Sequence, residues 1–334
     1  MTSILETDDF AQRWSDLLIG QPEVIEAIVP HIKVFEAGLN PERRPAGIFL
    51  LIGPSGTGKT TAAETLAAIL HGSERHYIRI DCSEYTEESA INRLIGAAPG
   101  FIGHKETPVA ITQVKLAAVT SSQSELSIVL FDEIEKAAHS LEKVLLAVMD
   151  KGILGLSDNQ KVNFENTIIL LSSNVGSKQM QDAIEQRFGF SGSDVEASRL
   201  DDLGINAAKK RFRPEFLNRI DKIIPYKMLD RAGYEKILAI QIEEQNRLIL
   251  RRLNLRSFTL KVTSEGANWI LDKGVSQTYG ARELKRVLNV NFYHPVAFLA
   301  AKNRIAPRSE VIFDATGAGP AIYVRDDIRK RRVA

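Results

Sequence analysis

Apolar residues cluster in five short runs over the first two thirds of the chain: IFLLI (48–52), YIRI (77–80), SIVLF (127–131), TIILL (167–171) and KIIPY (222–226). Each predicts a buried strand. Helical stretches such as ESAINRLIG and HSLEKVLLAVMD separate them. Strands that alternate with helices predict a parallel sheet covered on both faces. Pro225 falls at the end of the last run, where a missing N–H is tolerated. Near residue 227 the pattern changes. A long helical stretch, DRAGYEKILAIQIEEQNRLILRRL, is followed by SFTLKV, by two helical segments within 264–303, and by the strand candidates SEVIF and AIYV. The pattern predicts a short extension at 1–17, an α/β unit with a five-stranded parallel sheet at 18–227, a smaller α+β unit at 228–320 and a basic tail at 321–334. The small, acidic stretch SGSDVEASRLDDLG (191–204) reads as a surface loop.

The first run leads directly into GPSGTGKT (53–60). Gly53, Gly56 and Gly58 let the backbone turn tightly and point its N–H groups inward. Lys59 offers positive charge to outer phosphates, and Thr60 offers a hydroxyl to magnesium. The residues that follow, TAAETLAAILHG, favour a helix that stops at Gly72. The loop therefore opens onto a helix N-terminus, where an anion is stabilised. Gly53, Pro54, Ser55, Gly56, Thr57, Gly58, Lys59 and Thr60 are the candidate nucleotide-binding residues, with ATP and Mg2+ as the expected ligands.

A phosphate loop needs an acid on a neighbouring strand. SIVLF ends in Asp132 and Glu133. Asp132 is expected to hold magnesium together with Thr60. Glu133, one residue on, is expected to face the γ-phosphate, where it can orient and deprotonate a water. Asn174 follows TIILL in LLSSN. An amide at the carboxyl end of a central strand lies where open α/β sheets bind ligands. It reads either as a positioner of the attacking water or as an asparagine turn.

Composition narrows the class. The chain of 334 residues is 44% hydrophobic and 25% charged, with a net charge of +1. That is ordinary for a globular protein and gives no global pull toward nucleic acid or anionic lipid. The single cysteine, Cys82, excludes an intrachain disulfide and a cysteine-based zinc site. The N-terminus MTSILETDDF lacks an apolar signal core, and the apolar runs are too short to span a bilayer. A cytoplasmic protein is expected. The basic run Arg329 to Arg332 reads as a solvated end or as a contact for a phosphate or an acidic partner.

GPSGTGKT, VLFDEIEKA, ILLSSNVGS, RFRPEFLNRID and YGARELKRVL occur in this order. Together they resemble the AAA+ module of the Clp unfoldase and disaggregase family, and in particular its C-terminal ATPase module. The likeness runs from LIGQ (18–21) to about residue 315. It implies that Asn174 is the family's sensor-1 residue. It also implies that Arg219 in FLNRID is the arginine finger reaching a neighbouring subunit's ATP, and that Arg282 in GAR is the sensor-2 arginine. Leu18 and Ile19 match the segment that packs on adenine. Arg213 is a second finger candidate. A finger acting in trans implies a homo-oligomer, in this family a six-membered ring with a central pore.

The resemblance also bears on what the ATP drives. GAAPGFIG (96–103) is a glycine- and proline-marked loop carrying Phe101 and Ile102. In the family the matching aromatic projects into the pore and grips unfolded polypeptide. A local core position for Phe101 is the alternative. HKETP (104–108) and GILGLSDNQKVNF (152–164) depart from the family's pattern, so pore chemistry tuned to a particular client, or weak threading, is expected. Double-ring relatives carry a client domain and a first ATPase module, whereas about 17 residues precede LIGQ here. Client selection is therefore expected to come from a partner, from the pore or from another chain. Phe188-Gly189-Phe190 is a candidate docking tripeptide for a barrel peptidase. The main expectation is a ring-forming, ATP-hydrolysing protein remodeller acting on unfolded or complexed clients, with no membrane role. A nucleic-acid motor or loader and a non-threading ATP switch are the alternatives. Balanced charge and the lack of a DNA-binding motif count against the first.

Overall fold

The five apolar runs fold as strands: β1 (Gly47–Ile52), β2 (Ile78–Asp81) and β3 (Ser127–Asp132), then, after a short hairpin of β4 (Ile153–Gly155) and β5 (Lys161–Asn163), β6 (Thr167–Ser173) and β7 (Lys222–Pro225). The computed structural model describes residues 9–97, 109–185, 194–275, 280–316, 319–326 and 329–332. The large sheet has the order β2-β3-β6-β1-β7, and every pairing in it is parallel. Every residue of β1, β3 and β6 is buried, as central strands covered on both faces require. Side chains alternate between the two faces. Ile48, Leu50, Val129, Phe131 and Leu171 enter one core, packed by Leu141, Leu145 and Met149 of the helix His139–Lys151. Phe49, Leu51, Ile128, Leu130 and Leu170 enter the other, packed by the helices Pro22–Glu36 and Lys59–His71. Pro225 ends β7 at the sheet edge, as its missing donor predicts.

Two expectations are corrected in this unit. SGSDVEASRLDDLG was expected as a loop, but the helix Asp194–Arg211 occupies most of it. Gly204, Ala208 and Phe212 are buried at helical spacing, and a Cβ on Gly204 would meet Ile52 at 3.1 Å. A polar N-terminal half thus continues into a seam set by packing rather than by composition. The β4–β5 hairpin was also not anticipated. Its buried positions are Leu154 and Val162, each between exposed neighbours.

Contacts divide the chain at Lys227 and Met228. In the second unit Asp230 caps the helix Arg231–Leu253 through the Gly233 N–H at 2.7 Å. The small sheet runs β11-β10-β9-β8, with β8 (Thr259–Val262), β9 (Glu310–Thr316), β10 (Gly319–Asp326) and β11 (Arg329–Arg332). Helices Ser264–Gly274, Ala281–Leu288 and His294–Ala301 complete the unit. Leu284, Phe292, Val311 and Phe313 are among its core. The separate tail expected from residue 321 is corrected here. Strand β10 runs through that position, and β11 pairs antiparallel with it from Tyr323↔Arg332 to Asp326↔Arg329. Backbone pairing is indifferent to the basic side chains, and charge suits an edge strand.

Candidate nucleotide site

Strand order builds this site. Strands β3, β6 and β1 are neighbours in the sheet, so the segments leaving their carboxyl ends lie side by side. After β1, Gly53 takes φ 144°, Gly56 φ 78° and Gly58 φ 97°. A Cβ on Gly53 would meet Tyr226 at 3.1 Å, because Tyr226 N donates to the Ile52 carbonyl at 2.7 Å and closes the gap. Gly58 caps the helix Lys59–His71 in the left-handed region. The first N–H groups of a helix have no partner within it and remain for a ligand.

Lys59 is the hub. Only 8% exposed, it donates through Nζ to the Gly53 and Pro54 carbonyls at 2.7 and 2.8 Å and to Asn174 Oδ1 at 3.0 Å. Asn174 Nδ2 donates to Glu133 Oε1 at 3.1 Å. Lysine, amide and carboxylate from three loops thus form one chain of contacts. Lys136 Nζ holds the other oxygen of Glu133 at 2.5 Å. Glu133 has a left-handed backbone, φ 58°, which costs an ordinary side chain about 1–3 kcal/mol. Ser172 holds it there: the Glu133 N–H donates to Ser172 Oγ at 3.0 Å, and Ser172 Oγ–H donates to Asp132 Oδ1. Asp132 Oδ2 accepts from Arg79 Nη2 at 2.6 Å. Glu135 Oε1 accepts the Asn174 N–H at 3.0 Å, fixing the loop that carries the amide. Burial first, and then Asp132 and the other nearby carboxylates, push the Cys82 thiol well above its ordinary range, so it stays protonated and unreactive.

Ser172, Lys136, Arg79 and Glu135 were missed by sequence reasoning. Lys136 had a local signal, three residues after Glu133 on a tight turn. The others depend on strand register, which places Phe131 opposite Leu171. Among the expected residues, Thr60 and Ile19 are half-buried, while Leu18 is 2% exposed and sits in the core beside Trp14. Nearby Gln21, 1% exposed, brackets the Lys227 backbone at 2.9 and 3.1 Å. Arg213 caps the short helix Pro214–Leu217 with its backbone. Arg219 lies on the surface of the first unit, paired with Asp150 at 2.5 Å. Arg282 is exposed in the first turn of its helix in the second unit. Phe101, Ile102, HKETP and Phe188-Gly189-Phe190 lie outside the described residues. The flank of the Phe101 loop is visible: the Ser157 N–H donates to the Ile95 carbonyl at 2.8 Å and Ser157 Oγ–H to the Gly96 carbonyl at 2.6 Å.

The residues present fit a nucleoside triphosphate. A buried ammonium faces a glycine turn at a helix N-terminus, and one carboxylate and one hydroxyl are a donor set suited to hydrated magnesium. Lys59→Ala is expected to weaken ATP binding at least about tenfold, since a charge-assisted hydrogen bond contributes about 1.5–3 kcal/mol. Unchanged affinity in calorimetry would overturn the assignment of the loop.

A phosphate loop on β1, acids on β3 and a bridging amide on β6 define a P-loop ATPase module. A family model described as the AAA domain (Cdc48 subfamily) matches residues 44–223, and one described as the C-terminal, D2-small domain of ClpB protein matches 229–313. The chain belongs to the AAA family and combines its ATPase domain with a small domain of the ClpB type. It is similar to chaperone protein ClpB of Meiothermus ruber, 37% identical over 303 residues, covering 91% of this chain and 33% of that protein. It is similar to ClpB of Wolinella succinogenes, 38% identical over 300 residues, covering 90% and 32%. It is also similar to a probable chaperone protein ClpB 1 of Chlorobaculum tepidum, 37% identical over 271 residues, covering 81% and 59%. Among solved structures, a closed-state cryo-EM reconstruction of Hsp104 with ATPγS and FITC-casein is similar. It has a TM-score of 0.79 and 28% identity, covering 95% of this chain and 51% of that one. The chain spans about a third of the length of most of these curated relatives. No described helix is long and apolar enough to cross a membrane.

Proposed function

We propose that this chain is the ATP-hydrolysing module of a ring-forming protein remodeller, which couples hydrolysis to the movement of polypeptide clients. The observation that carries the reading is the Lys59–Asn174–Glu133 chain of contacts across three adjacent strand ends. Bound ATP with Mg2+ supplies the γ-phosphoryl group and its leaving diphosphate. Lys59 neutralises the outer phosphates, while Thr60 and Asp132 would hold the metal. Glu133 orients a water and takes its proton, and Asn174 fixes that water's direction. Each Glu133 oxygen accepts one hydrogen bond, from Asn174 or from Lys136, and has a second lone pair for the water. Arg219 completes the neighbouring subunit's site, and by the family likeness Arg282 is the sensor-2 arginine and Leu18 and Ile19 are the residues that pack on adenine. A homo-hexamer in the cytoplasm follows from the family likeness, as do Phe101 and Ile102 as the client-gripping loop.

The test compares ATPase rates with and without an unfolded protein. Phe101→Ala is expected to keep basal turnover within a few-fold of wild type, because the residue lies outside the phosphate loop and the acid strand. It is expected to abolish client unfolding and client stimulation, and Phe101→Tyr is expected to be tolerated because the aromatic face is kept. A core phenylalanine would instead cost roughly 3–5 kcal/mol on truncation. A large drop in melting temperature with parallel loss of turnover would sink the gripping role. Stimulation by nucleic acid in place of unfolded protein would favour a nucleic-acid motor.

A further inference from the structure

Arg219 projects from the turn after the helix Pro214–Leu217, and it is held more firmly than an exposed arginine ordinarily is. Its Nε donates to Asp150 Oδ1 and its Nη1 to the Glu215 carbonyl, each at 2.5 Å. Its own carbonyl accepts from Arg44 Nη2 at 3.0 Å, and that guanidinium also pairs with Asp221 at 2.6 Å. Asp221 in turn is locked to β1: its Oδ2 accepts the Ile48 N–H at 2.8 Å and its N–H donates to the Ile48 carbonyl at 2.9 Å. The main chain of Arg219 is therefore tied to the strand that carries the phosphate loop. Its side chain is tied to Asp150, in the last turn of the helix that starts at His139, shortly after Glu133.

Stability does not account for the Asp150 contact. The two side chains are 31% and 44% exposed, and ion pairs that open to solvent contribute little. What the contact does is remove rotamer freedom from a long side chain. A guanidinium offers five N–H donors in one rigid plane. With Nε and one Nη1 hydrogen engaged, the fork keeps its charge and its remaining donors for another acceptor. Restraint in advance lowers the cost of forming a contact across an interface.

We propose that Asp150 is a positioning residue for Arg219, presenting the guanidinium to the nucleotide site of a neighbouring copy of this chain. This rests on the reading that Arg219 acts in trans. Mixed assemblies separate the two claims. Lys59→Ala subunits keep a sound finger and lose the pocket; Arg219→Ala subunits do the reverse. Recovery of ATP turnover in that mixture establishes action in trans, and its absence in verified mixed assemblies overturns the reading of Arg219 itself. Asp150→Ala subunits are then mixed with each. With Lys59→Ala they supply pockets, and recovery is expected to equal that of the Arg219→Ala mixture. With Arg219→Ala they must supply fingers, and recovery is expected to fall at least about tenfold, since small misplacements of reacting groups carry penalties up to about 10²-fold. Asp150→Glu, which keeps the carboxylate, is expected to donate fingers better than Asp150→Ala. Full finger donation by Asp150→Ala overturns the proposal. So does failure in both mixtures, which would mark a general structural role, and so does a glutamate no better than alanine.

Discussion

Replacing Arg219 with alanine is expected to lower ATP turnover of the assembled protein by roughly 10³-fold or more, the scale of an arginine finger. The same variant is expected to bind ATP in a single subunit nearly as well as wild type. Both expectations come from one placement. Arg219 follows the helix Pro214–Leu217 and pairs with Asp150 on the surface of the first unit. The contacts within the site run instead through Lys59, Asn174 and Glu133. Phosphate release under steady state measures the first expectation, and calorimetry with a slowly hydrolysed analogue measures the second. Turnover near wild type, or a parallel loss of nucleotide affinity in isolated subunits, would remove Arg219 from the role of finger.

Glu133→Gln is expected to bind ATP and assemble, yet to hydrolyse it about 10²–10⁴-fold more slowly, the usual contribution of a positioned base. The amide keeps the size of the side chain, and its carbonyl can still accept from Asn174. The left-handed main chain should persist, because the Ser172 hydroxyl holds it through the backbone N–H. What disappears is proton affinity and the ion pair with Lys136. Hydrolysis near the wild-type rate would mean that another group activates the water.

The two expectations differ in how far the sequence supports them. GPSGTGKT and the acids after SIVLF are local patterns, and their strands fold within a residue or two of the predicted bounds. Asn174 was ambiguous as a residue because its role depends on β6 lying between β1 and β3. Ser172 was invisible for the same reason: its hydroxyl gains meaning only when register sets it against Asp132 and Glu133. The helix Asp194–Arg211 was hidden by composition, since Gly204 reads as a breaker until Ile52 and Met180 are found packed against it. Strand β11 was hidden by charge, which predicts solvent exposure but not backbone pairing. Arg219 was legible only through the family resemblance, as an arginine finger, and its pairing with a residue 69 positions earlier could not be read from the sequence.

The order of the large sheet also governs how this chain is made. Strand β1 is flanked by β6 and β7, both of which lie far downstream: Ile48 pairs with Ile169, 121 residues later, and Ile52 pairs with Pro225. At about 5–20 residues per second, β1 waits roughly 6–24 s after leaving the ribosome before its first neighbour is synthesised. During that interval GIFLLI is an apolar segment with open hydrogen-bonding edges. Loop closure over such a span makes parallel sheets slow to form. The nascent form of this chain therefore displays, for seconds, the kind of unpaired apolar strand that a protein remodeller would be expected to grip.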